Sequence, residues 1–268
     1  MSGVPELDQT QQRIVKDLVD RGIAFSHFDE LFADPSEWNV LSGEINTFVN
    51  SEQVILDAAE YKEGSRVGEW NKGYLIRKYP ERAVLAADSP WLKLALSSRV
   101  LNVVNSYLEL WSKLYYFDLW YTLPAIGTAS ASQNWHRDPE DRKLVKIFLY
   151  FSDVTEDAGP LQYVPGSRRS GGPYSHLWRK RHEAYPPARE FEARIPSSEW
   201  VSGIGSSGTL VFVDTTGFHR GGYATRQTRL SATWTFVTPA SYTDRRIEIR
   251  PTSEPLQLSE PAMFAVAD

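Results

Sequence analysis

Asn134-Trp135-His136-Arg137-Asp138 is the stretch that decides the fold. His136 and Asp138 stand two apart, and side chains alternate along an extended segment, so the two would share a face. One imidazole and one carboxylate on one face make two thirds of a 2-His-1-carboxylate triad. That set binds Fe(II) and leaves further positions open. The third ligand must come from elsewhere in the chain, which has 5 His in all.

His219 is the candidate. Gly208 to Asp214 reads as a turn and a buried strand, and His219 follows closely, where it can point into the mouth of a barrel. Arg229 lies ten residues further on, near the start of the next strand. In that strand Arg229, Ser231, Thr233 and Thr235 share one face, and Leu230, Ala232, Trp234 and Phe236 share the other. Arg229 thus belongs to a polar inner face. An inward guanidinium needs an anionic partner, because an unpaired buried charge is costly. Arg226 is a rival, but it falls in the loop before the strand. Between the two halves, Ala158 to Ser167 reads as a turn, a strand and a turn.

Short extended runs surround these residues. Leu114 to Leu123, Leu144 to Phe151, Leu161 to Val164, Thr209 to Val213, Thr228 to Val237 and Arg246 to Arg250 all read as strands between turn signals. Many short strands punctuated by Gly and Pro predict a sandwich or jelly roll. The first ~110 residues read mostly as helix. Leu7 to Arg21 ends at Gly22, Asp34-Pro35-Ser36-Glu37 starts a helix with a capping Asp and a first-turn Pro, and Asp88-Ser89-Pro90 starts a region running with breaks to Leu108. Ile23 to Phe25 and Tyr74 to Tyr79 are further strands, Lys62 to Asn71 is a loop, and Ser170 to Pro187 is a loop or lid. No composition break divides the chain, so one domain is expected. Its helical part, about 1–110, packs on a β core of about 112–250.

Bulk properties exclude several classes. The chain is 41% hydrophobic and 24% charged, an ordinary globular balance. A net charge of −5 argues against an obligatory nucleic-acid partner. There is no Cys, hence no disulfide framework and no thiolate zinc site. No run approaches ~18 apolar residues and no signal core opens the chain, so no membrane partner is expected and the cytoplasm is the expected location. Nothing excludes a homo-oligomer. The remaining histidines, His27, His176 and His182, read as solvent-facing or hydrogen-bonded. Arg179-Lys180-Arg181 reads as a solvated face, and the aromatics of Tyr115 to Tyr121 read as core.

Jointly, His136-x-Asp138, the Gly159-Pro160-Leu161 to Pro165-Gly166-Ser167 segment, His219 and Arg229 resemble the phytanoyl-CoA dioxygenase-like family of Fe(II)/2-oxoglutarate oxygenases. The resemblance covers about Leu114 to Val237. It implies a double-stranded β-helix, a cupin-like jelly roll. It also implies that His136, Asp138 and His219 bind iron and that Arg229 holds the distal carboxylate of 2-oxoglutarate. Phe148 falls where the family often has an aromatic beside the cosubstrate, and Gln133 could reach cosubstrate or substrate. The implied cofactors are Fe(II), 2-oxoglutarate and O2. The implied reaction hydroxylates a small-molecule substrate, with release of succinate and CO2. With Asp138 in place of a small residue, hydroxylation is expected rather than chlorination. Two positions depart from the pattern. Gly221-Gly222 stands where relatives often carry Ser or Asn, and Arg168 stands where they often carry His. Desaturation, epimerisation or cyclisation at the same centre, a zinc or nickel cupin, and a non-catalytic jelly-roll binding protein remain as alternatives.

Overall fold

The computed structural model describes residues 5–66, 72–178, 185–252 and 257–267. The 62–71 loop is thus only partly described, and Arg179-Lys180-Arg181 and His182 lie outside the described residues.

The expected strands form two facing sheets. In the larger, the order is β1 (Ile23–His27), β8 (Thr209–Val213), β5 (Leu144–Tyr150), β10 (Arg229–Val237), β4 (Lys113–Thr122) and β2 (Leu75–Arg77), all antiparallel. The smaller sheet runs β7 (Val201–Ser202), β6 (Leu161–Tyr163), β9 (His219–Gly221). An antiparallel bridge between His136 and His219 extends it. The architecture is the expected jelly roll with flanking helices. The 246–250 strand departs from expectation. As β11 (Ile247–Arg250) it leaves the jelly roll and pairs in parallel with β3 (Ala83–Ala86), an Ala-rich strand too short to show a period.

Local signals explain the helices. In α1 (Gln9–Arg21) the Asp8 side chain accepts from the Gln11 amide, and Gly22 closes the helix at φ +80°. The short α2 (Phe28–Leu31) follows β1. In α3 (Pro35–Val49) Asp34 accepts from the Ser36 amide and Pro35 takes the first turn. Then come α4 (Glu52–Lys62), α5 (Pro90–Leu96) and α6 (Ser98–Leu108). The sequence did not announce α7 (Ala188–Arg194) or α8 (Glu260–Val266), seven residues each. Neither is long enough to show a helical apolar period.

Alternation along the central strands sorts side chains to two sides. Leu230, Ala232, Trp234 and Phe236 of β10 join Phe117 and Leu119 of β4 and Ile147 and Leu149 of β5 in the core beneath the helices. Trp91 of α5 anchors that layer, with ring centroids 5.5 Å from Phe117, 5.8 Å from Phe151 and 6.1 Å from Trp234. Its indole N–H donates to Glu44. Each ring so buried contributes roughly 1.5–3 kcal/mol. The opposite side chains of the same strands face the space between the sheets.

Candidate active site

That space is a cavity of about 1030 Å³, large enough for a cosubstrate and a small molecule. Its wall is the polar side of the main sheet: Arg229 and Thr235 of β10, Lys146, Phe148 and Tyr150 of β5, and Tyr116, Trp120 and Thr122 of β4. The pairing register between β10 and β4 shifts between Thr235 and Phe236, passing from Tyr116 to Leu114. This bulge turns Tyr115 to the cavity beside Tyr116. Tyr115, Tyr116 and Trp120 are therefore pocket residues, not the core residues expected. The strand does alternate, but its inner face is the cavity.

His136, Asp138 and His219 meet at the cavity floor, with one ligand atom from each lying within 4.8 Å of the others. Asp138 Oδ1 is 3.8 Å from His136 Nε2 and 3.6 Å from His219 Nε2. The backbone brings them together: His136 N donates to His219 O and His219 N to His136 O, both at 3.0 Å. Each imidazole is turned by its own chain. His136 Nδ1 is 2.8 Å from the Asn134 carbonyl, and His219 Nδ1 is 3.0 Å from the Gly217 carbonyl. A carbonyl only accepts, so Nδ1 carries the hydrogen and Nε2 of the neutral ring presents a lone pair. Burial, with the neighbouring His219, pushes the His136 pKa down to about 3, so the ring is neutral. His219 is likewise lowered by burial. Burial opposes ionisation of Asp138, but the adjacent Lys146 ammonium outweighs it and holds the carboxyl well below its usual range. Two lone pairs thus converge on an ionised oxygen with no proton to share, a donor set that a divalent cation fits.

Arg229 is buried on the cavity wall and donates to the Gly159 carbonyl. Burial lowers its pKa, and the groups that push back are Tyr150 and Tyr74, not a carboxylate. Its cross-strand neighbour is Thr122, whose buried hydroxyl has no hydrogen-bond partner among the described residues. A desolvated guanidinium beside an orphan hydroxyl fits a carboxylate ligand. Arg226 is exposed and bound to Asp157, so it does not compete. Phe148 lines the same cavity, its ring 5.8 Å from Trp120. Gln133 does not line it. Its side chain borders a smaller cavity of about 180 Å³, with Oε1 turned back onto the Ser130 amide.

Sequence reading missed Lys146. Its ammonium bonds Asp138 Oδ2, the oxygen away from the imidazoles. The signal was there, since inward Phe148 fixes Lys146 on the same face of β5. Glu140 lines the cavity nearby, its pKa pushed up to about 7 by burial and by Asp138. Tyr185 is half exposed, its ring 5.6 Å from His136. Arg168, which departs from the family pattern, is structural and donates to the Leu18 and Val19 carbonyls at the end of α1. His27 Nε2 is 3.0 Å from the Ser207 carbonyl, and His176 is exposed.

A jelly roll with a largely enclosed His-Asp-His cluster and a buried arginine lining the same cavity defines a class, the non-haem Fe(II)/2-oxoglutarate-dependent oxygenases. The chain belongs to the phytanoyl-CoA dioxygenase (PhyH) family, whose model matches residues 46–231. No curated protein matches it. Solved structures share its fold at low identity. The epimerase SnoN, in complex with Fe3+, alpha ketoglutarate and nogalamycin RO, is 15% identical over 88% of this chain and 87% of that one, with a TM-score of 0.58. EctD from S. alaskensis, with 2-oxoglutarate and 5-hydroxyectoine, is 16% identical over 100% and 89%, TM-score 0.57. HygX from Streptomyces hygroscopicus, with iron bound, is 17% identical over 90% of each chain, TM-score 0.51. Among the described residues no helix is long and apolar enough to cross a membrane.

Proposed function

We propose that the enzyme hydroxylates an unactivated carbon of a small-molecule substrate, using His136, Asp138 and His219 as iron ligands and Arg229 as the anchor of 2-oxoglutarate. The observation that carries this reading is the convergence of two lone-pair imidazoles on Asp138 Oδ1 in a cavity that also holds Arg229. The chain acts as one unit, because the core beneath the main sheet is shared with the N-terminal helices.

When bound, iron and 2-oxoglutarate supply oxygen activation coupled to decarboxylation, the chemistry that side chains lack. The protein's own part is to bind, orient and exclude water. His136 and His219 are held as neutral donors by their carbonyl partners. Lys146 takes Asp138 Oδ2 and leaves Oδ1 for the metal. Arg229 offers charge, and Thr122 an O–H, to the distal carboxylate. Phe148 and Trp120 form an apolar wall beside it.

The test is oxygen-dependent conversion of 2-oxoglutarate to succinate by iron-loaded protein, raised by substrate and lost in His219→Ala. An unchanged rate in His219→Ala refutes the assignment. Product mass fixes the outcome: about +16 for hydroxylation, about −2 for desaturation and no change for epimerisation. Epimerisation is the second reading, since one protein of this fold is named an epimerase.

A further inference from the structure

The cavity carries positive charge beyond what the metal and cosubstrate use. Apart from Lys146 and Arg229, the cations that line it are Arg66, Lys72, Arg77, Lys78 and Arg246, against Asp57 and Glu140. Arg66 is paired with Asp57 at 3.2 Å, and Arg77 with buried Asp118 at 2.7 Å. Arg246 donates from Nε and Nη2 to the Pro80 and Glu81 carbonyls, which do not cancel its charge, and Glu140 is the anion within its electrostatic reach. Lys78 is exposed, its ammonium 5.5 Å from the centre of the Tyr79 ring. Three of these cations cluster on one wall. The guanidinium carbons of Arg77 and Arg246 lie 5.7 and 5.6 Å from the centre of the same Tyr116 ring, and Lys78 lines the cavity with them. Asp118 offsets Arg77 and Glu140 partly offsets Arg246, which leaves Lys78 as the uncompensated charge of the three. The chain as a whole is acidic at −5, so this excess is local. A charged cleft with low-dielectric walls concentrates ligands of opposite sign.

The wall between this cluster and the metal cluster is aromatic. Tyr115, Tyr116, Trp120 and Phe148 all line it. Tyr115 lies within electrostatic reach of both Arg246 and Lys146, the partner of Asp138. We propose that Lys78 and Arg246, backed by Arg77, form a subsite for the anionic group of the substrate, a carboxylate or phosphate, with its apolar body along Tyr115 and Tyr116 toward the triad. This assignment rests on the oxygenase reading above. It predicts that the substrate is an acid, and that its oxidised carbon lies away from its charged end.

The test loads the full-length protein with Fe(II) and 2-oxoglutarate without oxygen, records uptake of both, and then titrates naphthalene-2-carboxylate and its neutral carboxamide by calorimetry. The carboxylate should bind at least about tenfold more tightly than the carboxamide. Lys78→Glu should weaken the carboxylate by about fivefold or more and leave the carboxamide unchanged, with cosubstrate uptake intact. Lys78 is exposed, so this variant keeps the fold. Arg246→Gln, checked by its melting temperature, should act in the same direction. Normal 2-oxoglutarate uptake with equal affinity for carboxylate and carboxamide overturns the subsite alone, as does a Lys78→Glu protein that binds both like wild type. Absence of 2-oxoglutarate uptake overturns the oxygenase reading beneath it.

Discussion

Lys146 shows how one residue supports a site it does not belong to. Its ammonium occupies Asp138 Oδ2, so the carboxylate offers a single oxygen to the imidazoles. Outer groups of this kind change metal affinity about 10- to 100-fold when removed. Lys146→Met should therefore weaken Fe(II) binding by about tenfold, and Lys146→Arg should restore part of it. Calorimetric titration measures both, and an unchanged affinity in Lys146→Met would show that the ion pair does not orient Asp138. Glu140 gives a pH signature. Its pKa is pushed up to about 7, so from its ordinary range of about 4.3 up to about 7 the metal-free native state holds a proton that the unfolded chain has lost. Stability should then fall as pH rises through that window, by on the order of 1–3 kcal/mol. Denaturant unfolding at pH 5 and pH 8 measures the fall, and Glu140→Gln should flatten it. An equal slope in the variant would assign the dependence to other groups.

Among the elements, the turn before β6 matters most to the cosubstrate end. Gly159 has φ +63°, and a Cβ there would meet the Gly222 carbonyl at 2.4 Å and the Ala224 amide at 2.5 Å. Its own carbonyl receives the Arg229 guanidinium. Gly159→Ala should cost about 1–3 kcal/mol and raise the Kd for 2-oxoglutarate, because it pushes apart the turn and the strand that carry the anchor. Fluorescence-monitored unfolding and anaerobic titration check the two effects, and a variant with wild-type affinity would separate the turn from the anchor. The same segment shows what the sequence could and could not reveal. His136-x-Asp138, the two glycine turns and the alternation from Arg229 to Val237 are local patterns, and each is found where expected. Convergence of His219 with His136 depends on a backbone bridge between residues far apart in the chain, which spacing alone does not encode. Tyr115, Tyr116 and Trp120 were misplaced because an inner face lining a cavity has the same composition as one filling a core. Gln133 was misplaced because its short 3-10 turn folds the amide back onto Ser130.

Over the whole molecule, the helices and the jelly roll share one apolar layer, and Trp91 sits at its centre. Trp91→Ala should destabilise the protein by about 3–5 kcal/mol and loosen the floor beneath Phe117 and Trp234. A single cooperative transition at lower denaturant is the expected result. Two separate transitions would mean that helices and sheet unfold independently. The proposed chemistry rests on one ion held by three side chains from two distant segments. Anaerobic titration of Fe(II) into the metal-free protein, with 2-oxoglutarate present, measures this directly. Wild type should bind one equivalent, and His136→Ala, Asp138→Ala and His219→Ala should each abolish tight binding while remaining folded. One equivalent bound with unaltered affinity by all three variants would contradict the central claim.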